Sequence, residues 1–145
     1  MSSGTAIGTD AASRLRLVVT RLGRKLRRQA GGELTPSQAS ALVSVEQLGP
    51  ITLGDLSAVE NVSPPTLTKV VAALEEHGLV ARASDPADRR VARVEATARG
   101  SQLLAQSRSR GNAYLAARLA ALPADDLAAL ERALEVLERL VEPEE

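Results

Sequence analysis

The stretch from Ser63 to Ala96 changes its hydrophobic period halfway, and that change restricts the fold more than any other feature of the chain. Ser63-Pro64 reads as a helix start: a capping residue, then a proline whose missing N–H costs nothing in a first turn. Leu67, Val70, Val71 and Leu74 recur at i, i+3, i+4 and i+7, one stripe of a helix. Gly78 is placed to stop that helix as a left-handed residue. Beyond it the helical period is gone. Segments 79–84 and 91–96 are short and carry β-branched residues. Between them lies Asp85-Pro86-Ala87-Asp88-Arg89-Arg90, a polar turn containing proline, so the pair reads as a β-hairpin.

The flanks read as helices. Leu15, Val18, Val19, Leu22 and Leu26 give a first amphipathic helix within residues 10–30, closed by Gly31-Gly32. Thr35-Pro36-Ser37-Gln38 carries a cap, an N1 proline and a glutamine that can complete a capping box. The helix it opens runs to about Leu48 and breaks at Gly49-Pro50. Thr52 starts a short helix that ends at Asn61. Thr97 caps a long helix, about 98–122, and Pro123 breaks it. Leu127, Leu130, Leu134, Leu137 and Val141 then alternate steps of three and four, a coiled-coil-like seam. The expected fold is mostly α: a winged helix-turn-helix with a two-stranded β-wing over 34–97, flanked by terminal helices at 10–30 and 98–145, in one chain of 145 residues.

Composition removes several functions. With no cysteine there is no disulfide scaffold, thiolate zinc site, iron–sulfur cluster or thiol switch. His77 is the single histidine, which argues against histidine metal sites and His-dependent triads. It sits in the last turn of a helix, where a cation suits the dipole. Paired catalytic carboxylates, a Gly-rich phosphate loop and a nucleophile–base pair are all missing, so neither an enzyme nor a cofactor is expected. No apolar run is long enough to span a bilayer, and residues 1–10 do not read as a signal peptide. The expected compartment is the cytoplasm.

The formal net charge of zero, taken as a total, opposes a nucleic-acid partner, but it is a sum of unlike ends. Arg14, Arg16, Arg21, Arg24, Lys25, Arg27 and Arg28 form a run with no acid inside it. Eight acids from Asp125 to Glu145, including Glu144 and Glu145, face only Arg132 and Arg139. The cationic first helix suits a solvated face or one paired with the acidic last helix, in the same chain or a partner, and Tyr114, the sole aromatic, suits packing among the terminal helices.

The helix after Ser63 carries the functional argument. With its stripe facing the core, it turns Pro65, Lys69, Ala72 and Glu76 outward, flanked by Thr66 and Thr68. The leading half is small, hydroxylated and cationic, and acid waits until Glu75 and Glu76. Small residues let a helix enter a major groove, hydroxyls and Lys69 can contact bases or phosphates, and Ser63 can cap and touch phosphate. Arg89 and Arg90 lie at the hairpin tip, where arginine suits a narrow minor groove. Asp88 fits there if it orients an arginine by a charge-assisted hydrogen bond, with Arg82 on the preceding strand as a candidate partner. Taken alone, each of these is also an ordinary solvated face or hairpin tip.

In order and spacing, these segments resemble the MarR-type winged helix-turn-helix regulators. The carriers are Leu34-Thr35-Pro36-Ser37-Gln38, Leu53-Gly54-Asp55-Leu56, 62–69, 74–80, 85–90 and Thr97-Ala98-Arg99-Gly100. The resemblance implies a homodimer with interlocked terminal helices that binds a pseudo-palindromic double-stranded DNA operator, usually as a repressor. It implies that the helices at 10–30 and 98–145 are the dimerisation helices, and that Arg90 enters the minor groove while Asp88 braces the tip. It further implies a small, often aromatic, weak-acid effector bound between dimer helices and winged domain. Oxidant sensing through cysteine, used in one branch, is excluded here. Pro64-Pro65 departs from the more usual single proline and removes another helix N–H. The competing reading is a winged-helix protein–protein interaction module without specific DNA binding.

Overall fold

The computed structural model describes residues 3–32 and 34–142, with side chains from Gly8 onward. The first residues of the 1–10 segment and the terminal acids Glu144 and Glu145 lie outside the described residues. The elements run α1 (Ser3–Ala30), α2 (Pro36–Leu48), β1 (Ile51–Thr52), α3 (Leu53–Glu60), α4 (Pro64–Glu76), β2 (Val80–Ser84), β3 (Ala92–Ala96), α5 (Ala98–Ala120) and α6 (Ala124–Val141). The chain divides into two compact units, 1–111 and 112–145.

The first unit holds the core. Helices α2, α3 and α4 pack on one another and on the sheet. Ala41, Leu42 and Val45 come from α2, Leu56 from α3, Leu67, Val71 and Leu74 from α4, and Leu104 from α5, all buried. Ile51, Val80 and Val94 bring the sheet into the same cluster. Each large apolar side chain buried in this way contributes about 1.5–3 kcal/mol relative to an exposed one.

The caps explain the boundaries. Thr35 and Gln38 form the reciprocal capping box, with Gln38 N–H donating to Thr35 Oγ1 at 3.2 Å and Thr35 N–H to Gln38 Oε1 at 3.1 Å. Thr52 Oγ1 accepts from Asp55 N–H at 3.1 Å and starts α3, and Asn61 ends it in the left-handed region. Helix α4 closes in a Schellman motif: Leu79 N–H donates to Leu74 C=O, Gly78 N–H to Glu75 C=O, and Gly78 has φ +71°. Thr97 Oγ1 accepts from Gly100 N–H and donates to Gly78 C=O at 2.7 Å, so one hydroxyl starts α5 and holds the end of α4.

The structure corrects two boundaries and the strand count. Helix α1 begins at Ser3, about two turns before residue 10, because the added turns precede the apolar stripe and leave no period to read. Helix α5 ends at Ala120 instead of Leu122, with the last residues closing as turns, Ala121 N–H to Arg118 C=O and Leu122 N–H to Leu119 C=O. The sheet has three antiparallel strands in the order β1-β3-β2, where two were expected. The added strand pairs Ile51 with Val94 and Thr52 with Arg93. The hairpin pairs Val80 with Ala96 and Ser84 with Ala92.

Two helices leave apolar residues uncovered. On α1, Leu15, Leu17, Val18, Val19 and Leu22 are exposed. In the second unit, α6 has no buried residue, and Leu134, Val136, Leu140 and Val141 are exposed.

Candidate nucleic-acid interface

Helix α4 presents the face expected of it. Leu67, Val71 and Leu74 point into the core, Val70 is half-buried against it, and Pro65, Thr66, Thr68, Lys69 and Ala72 are exposed. Lys69 has no side-chain partner among the described residues.

The head of α4 differs in detail from the expectation. Ser63 has the extended backbone of an N-cap residue, φ −68° and ψ 149°, but its side chain does not cap. Its hydroxyl donates to Thr66 Oγ1 at 2.9 Å. Thr68 Oγ1 donates to Pro64 C=O at 2.9 Å, back onto its own helix. With Pro64 and Pro65 in the first two helical positions, two backbone donors are missing where a helix start ordinarily offers four.

The wing is organised by carboxylates. Asp88 Oδ1 accepts from Arg90 N–H at 3.0 Å and from Arg90 Nε at 3.2 Å. The Arg90 amide, then its guanidinium, hold the Asp88 carboxyl below its ordinary value of 3.8. The Arg90 side chain is 91% exposed, so it is held at its base and projects into solvent. Arg89 is exposed and has no partner among the described residues. Asp85 accepts from Ala87 N–H at 2.8 Å and from Arg93 Nε at 3.0 Å, and these contacts lower its pKa too.

Arg82 does not meet Asp88. Its Nε donates to Glu75 Oε1 at 2.7 Å, which ties β2 to the last turn of α4. Asp88 faces its own turn and takes the arginine two residues on, because an aspartate can close on a backbone N–H at that spacing. Glu75, Asp85 and Arg93 are the residues that sequence reasoning missed. The Asp85–Arg93 pair was detectable in principle, since the hairpin sets those opposite charges on diagonal positions where the strands enter the turn.

A cavity of about 650 Å³ lies elsewhere in the first unit. Its lining includes Leu34, Leu79 and Leu103 as an apolar floor, with His77, Arg99, Gln102, Gln106 and Arg110 around it. Arg110 Nη1 donates to Ala30 C=O at 2.9 Å, while the side chains of Arg99 and His77 have no partner among the described residues. No carboxylate and no Phe, Tyr or Trp ring occurs in the described lining. Tyr114 pairs locally on α5: the Arg118 guanidinium stacks 5.2 Å from the ring centroid and donates to the phenol oxygen. Among the described residues no group of acids and His77 could hold a metal ion.

The sequence profile of the MarR family matches residues 34–92, from the α2 cap through the wing. An uncharacterised HTH-type transcriptional regulator of Mycobacterium bovis is 37% identical over 132 residues, 90% of this chain and 92% of that protein. The crystal structure of a putative transcriptional regulator from Pseudomonas aeruginosa superposes with a TM-score of 0.83 at 31% identity, over 94% of this chain and 97% of that one. The fold is also that of an S. aureus MepR variant bound to an oligodeoxyribonucleotide, with a TM-score of 0.69 at 17% identity over 91% and 98% of the two chains. With this profile over α2 to the wing, this relative along nearly the whole chain and this superposition, the chain belongs to the MarR family of winged helix-turn-helix transcriptional regulators.

Proposed function

We propose that the chain is a homodimeric repressor that binds a pseudo-palindromic DNA operator, with region 34–97 on the DNA and the helices within 10–30 and 98–145 forming the dimer. The observation that carries this reading is the pairing of an exposed, acid-free leading half of α4 with a wing arginine held at its base by Asp88. In this reading Ser63, Pro65, Thr66, Thr68 and Lys69 enter the major groove. Arg90 enters the minor groove, Arg89 meets phosphate, and Asp88 and Arg82 support the wing. The DNA-bound relative of the same fold supports the choice of partner.

The exposed apolar residues of α1 and α6 support the dimer, since a lone chain would leave them in water. The unpartnered Arg99 and His77 over a leucine floor support a weak-acid effector that releases the DNA. Among the described residues no helix is long and apolar enough to cross a membrane, which fits action on DNA in the cytoplasm.

Footprinting on the DNA flanking its own gene tests the reading. Two protected half-sites about one helical turn apart are expected, with binding that weakens steeply with salt and is relieved by a small acid. Equal affinity for this DNA and random DNA, alongside stoichiometric capture of a protein, would transfer the assignment to a protein–protein module.

A further inference from the structure

We propose that α4 reads its half-site through the 5-methyl groups of thymine, packed against the exposed Pro65 ring, the Thr68 methyl and Ala72. This rests on the DNA-binding reading above and specifies how it works. Three observations lead there.

The first is the double proline. A helix entering a groove ordinarily offers its free first-turn amides to phosphate. Here two of those positions are Pro64 and Pro65, which have no N–H, and Leu67 N–H is already bonded to Ser63 C=O. The head of α4 is therefore poor at gripping phosphate through its backbone.

The second is the direction of the hydroxyls. Thr68 donates its proton to Pro64 C=O at 2.9 Å, so it has none left for a base. What it offers outward is a lone pair and its methyl group. Ser63 and Thr66 share one hydrogen bond between themselves.

The third is where the apolar groups fall. Residues 65, 68 and 72 lie at i, i+3 and i+7 on the exposed side, opposite the buried Leu67, Val71 and Leu74. The outward strip thus carries a pyrrolidine ring and two methyl groups, with Lys69 beside them as the only cation of α4. Of the four bases, only thymine presents a methyl group in the major groove.

The test uses the full-length chain. Preferred duplexes are selected from a random pool, and each thymine is then replaced singly by deoxyuridine, which removes only the 5-methyl group. Loss of affinity of about fourfold is expected at one or two positions in each half-site, the worth of one buried methyl. Pro65→Ala should erase the penalty at one such position. Thr68→Ser, which keeps the hydroxyl bond and deletes the methyl, should erase it at the neighbouring one. Uracil tolerated throughout the selected site, or a penalty unchanged in both variants, overturns the proposal while leaving DNA binding intact. A pool that yields no preferred sequence overturns the DNA-binding reading and this proposal with it.

Discussion

Arg82 Nε lies 2.7 Å from Glu75 Oε1, so the first strand of the wing is bonded to the last turn of α4. Both side chains are partly exposed, and such pairs contribute little to folding. Their value would lie in fixing the direction of the wing relative to the helix. Arg82→Ala should cost under about 1 kcal/mol of stability, read from urea unfolding. It should nevertheless weaken operator binding, and the exchanged pair Glu75→Arg with Arg82→Glu should restore it. Operator affinity untouched by Arg82→Ala would remove the brace from the mechanism.

Arg90→Ala should weaken operator binding by about 1–3 kcal/mol and relax preference at the bases under the wing, as loss of a specific contact does. Arg89→Ala should weaken binding about equally on all sequences and lower the salt slope by roughly one, as loss of a phosphate contact does. Titrations on specific and random DNA at several salt concentrations separate the two. Equal behaviour of both variants would cancel the division of labour.

The acid dependence of the wing follows from Asp85 and Asp88. Both have native pKa values below the ordinary 3.8, so both bind protons less readily folded than unfolded. The stability they add is complete above the ordinary value and is lost as the pH falls through the lower native one. Wing structure should therefore be constant from about pH 5 to 8 and loosen only in strong acid. Carboxyl-detected NMR titration follows it directly, and Asp88→Asn should remove the Arg90 part of the change. A wing transition centred near neutral pH would contradict this assignment.

A Cβ built on Gly100 falls 2.2 Å from Leu79 C=O and 3.3 Å from Leu42 Cδ1. Alanine in a helix ordinarily gains about 0.5–1 kcal/mol over glycine. Here the clash outweighs that gain, and Gly100→Ala should destabilise by roughly 1–3 kcal/mol. A urea midpoint equal to or above that of the parent would show that α5 can move away from Leu79.

The exposed leucines of α6 give the proposed dimer its test. Leu140, 67% exposed, becomes a charge in Leu140→Glu without disturbing the core of the first unit. Sedimentation should show a shift toward monomer, and operator affinity should fall with it. A dimer of unchanged strength would place the interface elsewhere.

Much of the fold was legible because its signals are local. As caps and stops, Thr35, Gln38, Thr52, Asn61, Gly78 and Thr97 act within four residues of themselves in the chain, and each appears as read, apart from Ser63; the second bond of Thr97, to Gly78 C=O, is long-range and was not legible. The buried stripe of α4 was legible for the same reason, since a helix repeats its face at fixed spacing. Strand β1 was not, because two residues show no period and Thr52 was already accounted for as a cap. The cavity was not either. Leu34, His77 and Arg99 are far apart in the chain, and only packing gathers them.

By itself, then, the sequence determined where helices begin and end, which face of α4 is buried, and that a short hairpin follows it. These depend on backbone donors, proline, glycine and hydrophobic period, all of which act over a few residues. The tertiary structure decided which charges meet. Arg82 found Glu75 in place of Asp88, Asp88 kept Arg90, and Asp85 took Arg93. The Ser63 and Thr68 hydroxyls turned onto atoms three and four residues away, a local choice among several acceptors that residue type alone left open. Long side chains reach several partners of similar energy, so their choice follows from where the packed backbone sets them.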